Sequence, residues 1–317
     1  MAEKCVKFRI LNKTLGIRIL IIIISKFFLI VIPGLISVAF ITLLERKVLG
    51  IIGYRYGPNK VSLIGILQPL SDAIKLANKQ ANQLSNFSFL FYYFSAIFIF
   101  IIRVTFILLI ISEPPIFYLK FRALFLIIIL GLNSLNSIIR GWRVFRKFSL
   151  IGRIRTVRQL ISYESSLYFI FFFLFFFFSR LALADFFPLS RISLRFILPI
   201  CFYIWVPSIL GELNRTPFDF SEGERELVRG FNTEFGSSCF TLIFLAEYSN
   251  IIMFCLLRSF IFFKELFIVI FFSFFFLVIW IRGVLPRLRF DKLIMLAWKF
   301  YIPFLTTLYI FYIFFSL

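Results

Sequence analysis

Eight runs of apolar residues separated by charged segments organise this chain, at 19–44, 87–112, 123–139, 161–183, 196–213, 235–257, 266–281 and 300–317. The runs are apolar all round rather than on one stripe, the pattern of helices immersed in lipid. Several hold only about 15–18 uncharged residues in succession, short of a hydrocarbon core of about 30 Å at 1.5 Å per residue. Snorkelling Lys and Arg at the helix ends, or neighbouring subunits that cap those ends, make up the difference. The predicted fold is therefore an all-α integral membrane protein of eight transmembrane helices. An interfacial amphipathic helix follows the first span, and a long acidic loop joins the fifth and sixth. A basic extension over 1–18 precedes a single membrane domain over 19–317.

The polar intervals orient these spans. Loops after spans one, three, five and seven carry 6, 7, 3 and 5 Lys or Arg, and those after spans two, four and six carry 2, 3 (counting Arg180 at the end of span four) and 2. The positive-inside rule puts the odd loops in the matrix or cytoplasm. The N-terminus, with 5 basic residues before residue 19, dissents without reversing the balance. That extension has the charge of a targeting segment. The sequence VIPGLISVAF running straight into a charged motif argues against a cleavage site.

Composition agrees with the pattern: 61% hydrophobic, 16% charged and a mean hydropathy of +0.99. The formal charge of +20 is thus first a matter of topology, and no soluble basic face is apparent that would bind nucleic acid. Histidine is absent, which excludes imidazole-ligated haem or metal and every His-dependent triad. Cys5, Cys201, Cys239 and Cys255 form no CxxC pair and read as free thiols, so any redox centre belongs to a partner. The 50 phenylalanines, with the run at 171–178, look like the imprint of an AT-rich genome on lipid-facing positions.

Candidate chemistry lies in the polar intervals and in one span. Glu45-Arg46-Lys47 stands where the first span ends, suited to anchor a helix or orient a polar head group. From Leu63, the positions Ile66, Leu67, Leu70, Ile74 and Ala77 recur at helical spacing, with Asp72, Lys75 and Lys79 elsewhere on the surface. This predicts an interfacial helix that would floor a site at the membrane boundary. Segment 140–158 carries seven basic residues and no acid, suited to an acidic partner or an anionic lipid such as cardiolipin. It leads to Tyr163 and Glu164, just inside span four.

The sixth span places Glu247, Tyr248, Ser249 and Asn250 at its centre. A charge at that depth costs about 2.5–3.5 kcal/mol on insertion scales, so such a carboxylate marks a functional position by default. Six of the fifteen acids gather in 211–236: Glu212, Asp219, Glu222, Glu224, Glu226 and Glu234. Ser221 and Glu224 make a capping box for a short helix ending near Gly230, with Glu222–Arg225 and Glu226–Arg229 as i,i+3 pairs. A salt-bridged surface helix accounts for these locally. Continued inward by Glu212, Glu164 and Glu247, the acids have the form of a proton relay.

The motifs ERKVLG, YRYGPN, LQPLSDAIKL, ISYE, ELNRTPFDFSEGERELV, LAEYSNII and PRLRFDKL, in this order, closely resemble the NADH dehydrogenase subunit 1 family of respiratory complex I. The resemblance covers the chain from about residue 19 to its C-terminus. It implies eight transmembrane helices and a core, non-redox subunit of a proton-translocating NADH:ubiquinone oxidoreductase. Such a subunit sits in the mitochondrial inner membrane, or the bacterial plasma membrane, among other membrane and hydrophilic-arm subunits. It implies ubiquinone as substrate and no bound redox cofactor in this chain. Carried over by motif, Glu45, Arg46, Arg55, Asp72, Lys75, Arg215, Phe220 and Phe231 would line or support the quinone passage. Glu164, Glu212, Asp219, Glu222, Glu224, Glu226, Glu234 and Glu247 would be the proton-linked acids, with Tyr163 and Tyr248 as hydroxyl relays. Leu44, Arg158 and Arg229 depart from the family's pattern, so local electrostatics do not transfer unchanged. The competing expectations are a membrane subunit of an energy-converting hydrogenase or plastid-type complex, and a proton-coupled secondary transporter using Glu247. The last would show inverted repeats, and none is apparent.

Overall fold

The computed structural model describes residues 2–79, 86–111, 122–141, 147–178, 192–219, 236–262 and 267–316. All regular structure among them is helical: α1 (Ala2–Ile52), α2 (Gln68–Ala77), α3 (Asn86–Ile111), α4 (Arg122–Gly141), α5 (Lys147–Phe178), α6 (Ile192–Glu212), α7 (Ser237–Phe262), α8 (Phe267–Val284), α9 (Phe290–Met295) and α10 (Ile302–Ser316). A π-helical turn over Leu296–Tyr301 joins the last two. The described residues of the eight predicted runs lie almost wholly on these helices and the π-helical turn. Among the described residues, five stretches are long and apolar enough to cross a membrane: Ile24–Ile52, Tyr93–Ile110, Ser238–Ser259, Phe267–Val284 and Phe290–Phe311. A shorter apolar helix covers Leu124–Arg140. The chain is an all-α integral membrane protein.

Two helices act as hubs. One is α7, which packs against α1, α2, α3 and α8; the other is α5, which packs against α4, α6, α9 and α10. Contact between α3 and α4 joins the two groups. One continuous apolar core runs through both, with Phe106, Leu130, Leu167, Trp205, Phe254 and Phe274 fully buried. Edge-to-face rings fix its interior, Phe171 against Trp205 at 5.3 Å and Phe106 against Phe254 at 6.2 Å. The phenylalanine run is therefore not wholly lipid-facing: Phe171 and Phe173 are buried and Phe172 is exposed. Cys201, Cys239 and Cys255 are buried free thiols.

Three boundaries differ from the sequence expectation, each for a local reason. The backbone of α1 is helical through the basic extension, carries Pro33 within it, and continues past Glu45 to Ile52, ending at Gly53 and Tyr54, where φ turns to 51°. The interfacial helix begins at Gln68 rather than Leu63. Gly65 adopts φ +77°, and a Cβ there would lie 2.2 Å from the Pro58 carbonyl oxygen, so glycine is required. Pro69, in the first turn where its missing N–H costs nothing, then starts the helix. Finally, the described residues of the basic segment 140–158 are helical. Arg140 ends α4 and is buried, and residues 147–158 form the first turns of α5. Arg140 is thus unavailable to a lipid surface.

Candidate functional site

The end of α1 sends consecutive side chains to different neighbours. Glu45, 4% exposed, turns inward. Its Oε1 accepts hydrogen bonds from Nη1 of both Arg215 and Arg282, and its Oε2 accepts one from the Tyr248 hydroxyl at 2.8 Å. The Arg215 guanidinium lies over the Tyr248 ring, 4.4 Å from its centroid, and that ring packs on Phe244 at 4.5 Å. Burial alone would lower the pKa of Arg215, but Glu45 above all pushes it higher than its ordinary value, so the guanidinium is held charged. Arg46, about 100° further round the helix, faces outward and pairs with Asp72 of α2 at 2.6 Å, while Gln68 donates to the other Asp72 oxygen at 2.9 Å. Arg55 and Lys75 are exposed nearby, as are Ile66, Leu67, Leu70 and Ile74 along α2.

The segment 213–219, which enters the acidic loop, is clamped from two sides. The Gln159 side-chain amide donates to the carbonyls of Gly211 at 2.9 Å and Phe218 at 2.7 Å. Leu288 N–H donates to the Pro217 carbonyl at 3.1 Å, and Arg287 approaches Asp219 at 3.4 Å. Gly211 permits this closeness, since a Cβ there would meet the Tyr163 ring at 2.5 Å. Phe220, Glu222, Glu224, Glu226, Phe231 and Glu234, and the capped helix expected at 221–229, lie outside the described residues.

A second polar group crosses the interior. Glu164 on α5 accepts from the Tyr168 hydroxyl one turn later. Gly131 of α4 makes room for them; a Cβ there would sit 3.0 Å from the Tyr168 oxygen and 3.4 Å from Glu164 Oε1. Glu212, at the end of α6 and 3% exposed, accepts from the Asn133 amide at 2.5 Å. Glu164 and Glu212 are electrostatic neighbours, and Glu212 in turn neighbours Arg103 of α3. Arg103 and Arg140 both feel the charge of Glu247, half-buried on α7. Glu164, Glu212 and Glu247, far apart in sequence, thus belong to one buried network with two arginines.

The arrangement adds residues that the sequence reading did not select. Arg282 completes the Glu45 cluster, Tyr168 holds Glu164, and Asn133, Arg103 and Arg140 join the acids. Tyr163, expected as a relay, donates to the Leu293 carbonyl at 3.2 Å and ties α5 to α9. Arg103 carried a usable signal, a lone charge inside a long apolar run. Arg282 carried none, because its partner is 237 residues away.

Comparison with known proteins identifies the family of the chain. The family model described as NADH dehydrogenase matches residues 25–313. The protein from Aedes aegypti called NADH-ubiquinone oxidoreductase chain 1 is 42% identical over 286 residues, covering 87% of this chain and 90% of its own. Proteins of the same name from Locusta migratoria and Apis mellifera ligustica are 41% and 40% identical, over 90% and 89% of this chain and 92% and 93% of theirs. The chain belongs to the NADH dehydrogenase family.

Proposed function

We propose that this chain is a non-redox membrane subunit of a proton-translocating NADH:ubiquinone oxidoreductase, inactive alone, in the mitochondrial inner membrane. With hydrophilic-arm subunits it forms the entrance and chamber for the quinone, and it begins the acidic path by which protons move. The observation that carries this reading is the pair of adjacent polar groups meeting on α7. Tyr248 belongs to the Glu45 cluster, which this reading puts at the mouth of the chamber, and Glu247, the preceding residue, belongs to the interior acids.

Reduction of a quinone places two electrons and two protons on its two carbonyl oxygens, passing through anionic forms. Arg46, Arg55 and Lys75 present donors and positive charge at the boundary, where a polar head group would settle, and the apolar face of α2 suits an isoprenoid tail. Asp72 fixes Arg46, and Glu45 fixes Arg215. Phe220 and Phe231 complete the passage in this reading. Negative charge arriving there changes the field at Glu45 and, through α7, at Glu247 and Glu212. Those acids, with Glu164, Asp219, Glu222, Glu224, Glu226 and Glu234, take up and release protons as a coupled group.

The test is Glu247→Gln in the assembled complex. The expected result is normal assembly on a blue-native gel with proton pumping per quinone reduced falling severalfold. Normal pumping with normal assembly would remove Glu247 from the path.

A further inference from the structure

We propose that Arg103 is a positioning residue of the proton path, the buried counter-charge that binds Glu212 and Glu247 into one charge-coupled unit through bridging water. This rests on the proton-path reading above.

Arg103 sits in the apolar body of α3, within the membrane-crossing stretch Tyr93–Ile110, and is 3% exposed. A guanidinium so placed needs both a counter-ion and hydrogen-bond acceptors. The charged groups facing it are Glu212 from the end of α6, Glu247 from α7 and Arg140 from α4. The other helix packed on α3 is α1, whose Glu45 is taken up by Arg215, Arg282 and Tyr248. Glu164 and Tyr168 of α5 also interact with Glu212. Counter-charge is therefore supplied, yet hydrogen bonding is not complete. Nε and Nη1 of Arg103 find no acceptor among the described residues, and Oε2 of Glu212 finds no donor. Both atoms of the Asn136 side-chain amide, also buried, are likewise unmatched.

Buried polar atoms left unmatched by protein are ordinarily satisfied by ordered water with two to four polar partners. Unmatched donors on a cation and an unmatched oxygen on its counter-ion are the ends such a bridge requires. Arg103 then does two things at once. It favours the ionised form of the neighbouring acids, and it orients the water through which they exchange a proton. Gain of a proton by one acid leaves Arg103 free to favour ionisation of the other. Arg140, the second cation of the group, balances Glu247 when Arg103 and Glu212 are engaged.

The experiment compares Arg103→Gln and Arg103→Lys in the assembled membrane complex, reading the pH profile of pumping and the carboxylic C=O band in difference infrared spectra. Loss of the cation should move the limb set by these acids upward by about one pH unit, since a nearby Arg typically lowers a carboxyl pKa by about 1–3. Lysine should restore most of the wild-type profile. An unshifted profile with an unchanged carboxylic band in Arg103→Gln overturns the proposal. If Arg103→Gln abolishes assembly, the double variant Arg103→Gln/Glu212→Gln decides: recovered assembly supports the charge coupling, and no recovery overturns it. Glu212→Gln separates the two levels of inference. Normal pumping in that variant defeats the proton-path reading itself; lost pumping there beside a wild-type pH profile in Arg103→Gln defeats only the role of Arg103.

Discussion

The Glu45 cluster and the Glu164–Glu212–Glu247 group are both largely buried, both charged and joined through adjacent residues of α7, yet they are built on opposite principles. At Glu45 both carboxylate oxygens are engaged, by two guanidiniums and a phenol, and the cations outnumber the acid. In the interior group the acids outnumber the arginines, and several donors and acceptors are unmatched among the described residues. A saturated ion cluster resists change in its charge, because removing any member strands the others. An unsaturated one can gain or lose a proton without dismantling its neighbours. The first is suited to hold geometry at a mouth, and the second to change state.

The sharpest way to break this comparison is Glu45→Gln. It leaves Arg215 and Arg282 facing each other with only an amide between them, a loss of about 3–5 kcal/mol. The complex should fall to a small fraction of its normal level on blue-native gels, and an unchanged level would show that the cluster is not structural. Glu212→Gln is the mirror case. The amide keeps the shape and loses only the exchangeable charge, so assembly should persist while pumping per electron drops severalfold. Collapse of the complex would place Glu212 in the structural class instead. Gly131→Ala is gentler. Its methyl would press on the Tyr168 hydroxyl, and overpacking of this kind costs about 1–3 kcal/mol. Pumping should slow, with the infrared band of Glu164 displaced; an unmoved band would mean that α4 yields instead. Arg46→Gln should do least to stability, at most about 1 kcal/mol for a half-exposed pair. Its expected mark is weaker inhibition by quinone-site ligands, and an identical inhibitor titration would exclude Arg46 from the passage.

Much of the frame could be read along the chain, since apolar run length translates directly into helices. Glu45, Arg46, Glu164, Glu212 and Glu247 stood out because a charge beside or inside an apolar run is rare, and Asp72 and Asp219 through the motifs they belong to. Their grouping was not legible. One-dimensional patterning fixes depth along a helix but says little about which helix lies alongside, so the union of Glu45 with Arg282 and of Glu212 with Asn133 appears only in three dimensions. Arg140 shows the same limit from the other side. Counted with its basic neighbours it read as a surface charge, whereas it belongs to the last turn of α4 and is buried beside Glu247.

Glu247 and Tyr248 are consecutive residues of an unbroken helix of 26. Their Cα atoms are fixed about 3.8 Å apart, so the two clusters share a rigid shaft and neither can be displaced alone. A small roll of α7 that stretches the Tyr248–Glu45 contact must sweep Glu247 past Arg103 and Arg140 in the same movement. Events at the mouth could thereby reach the interior acids as a mechanical displacement, with no charge having to travel between them.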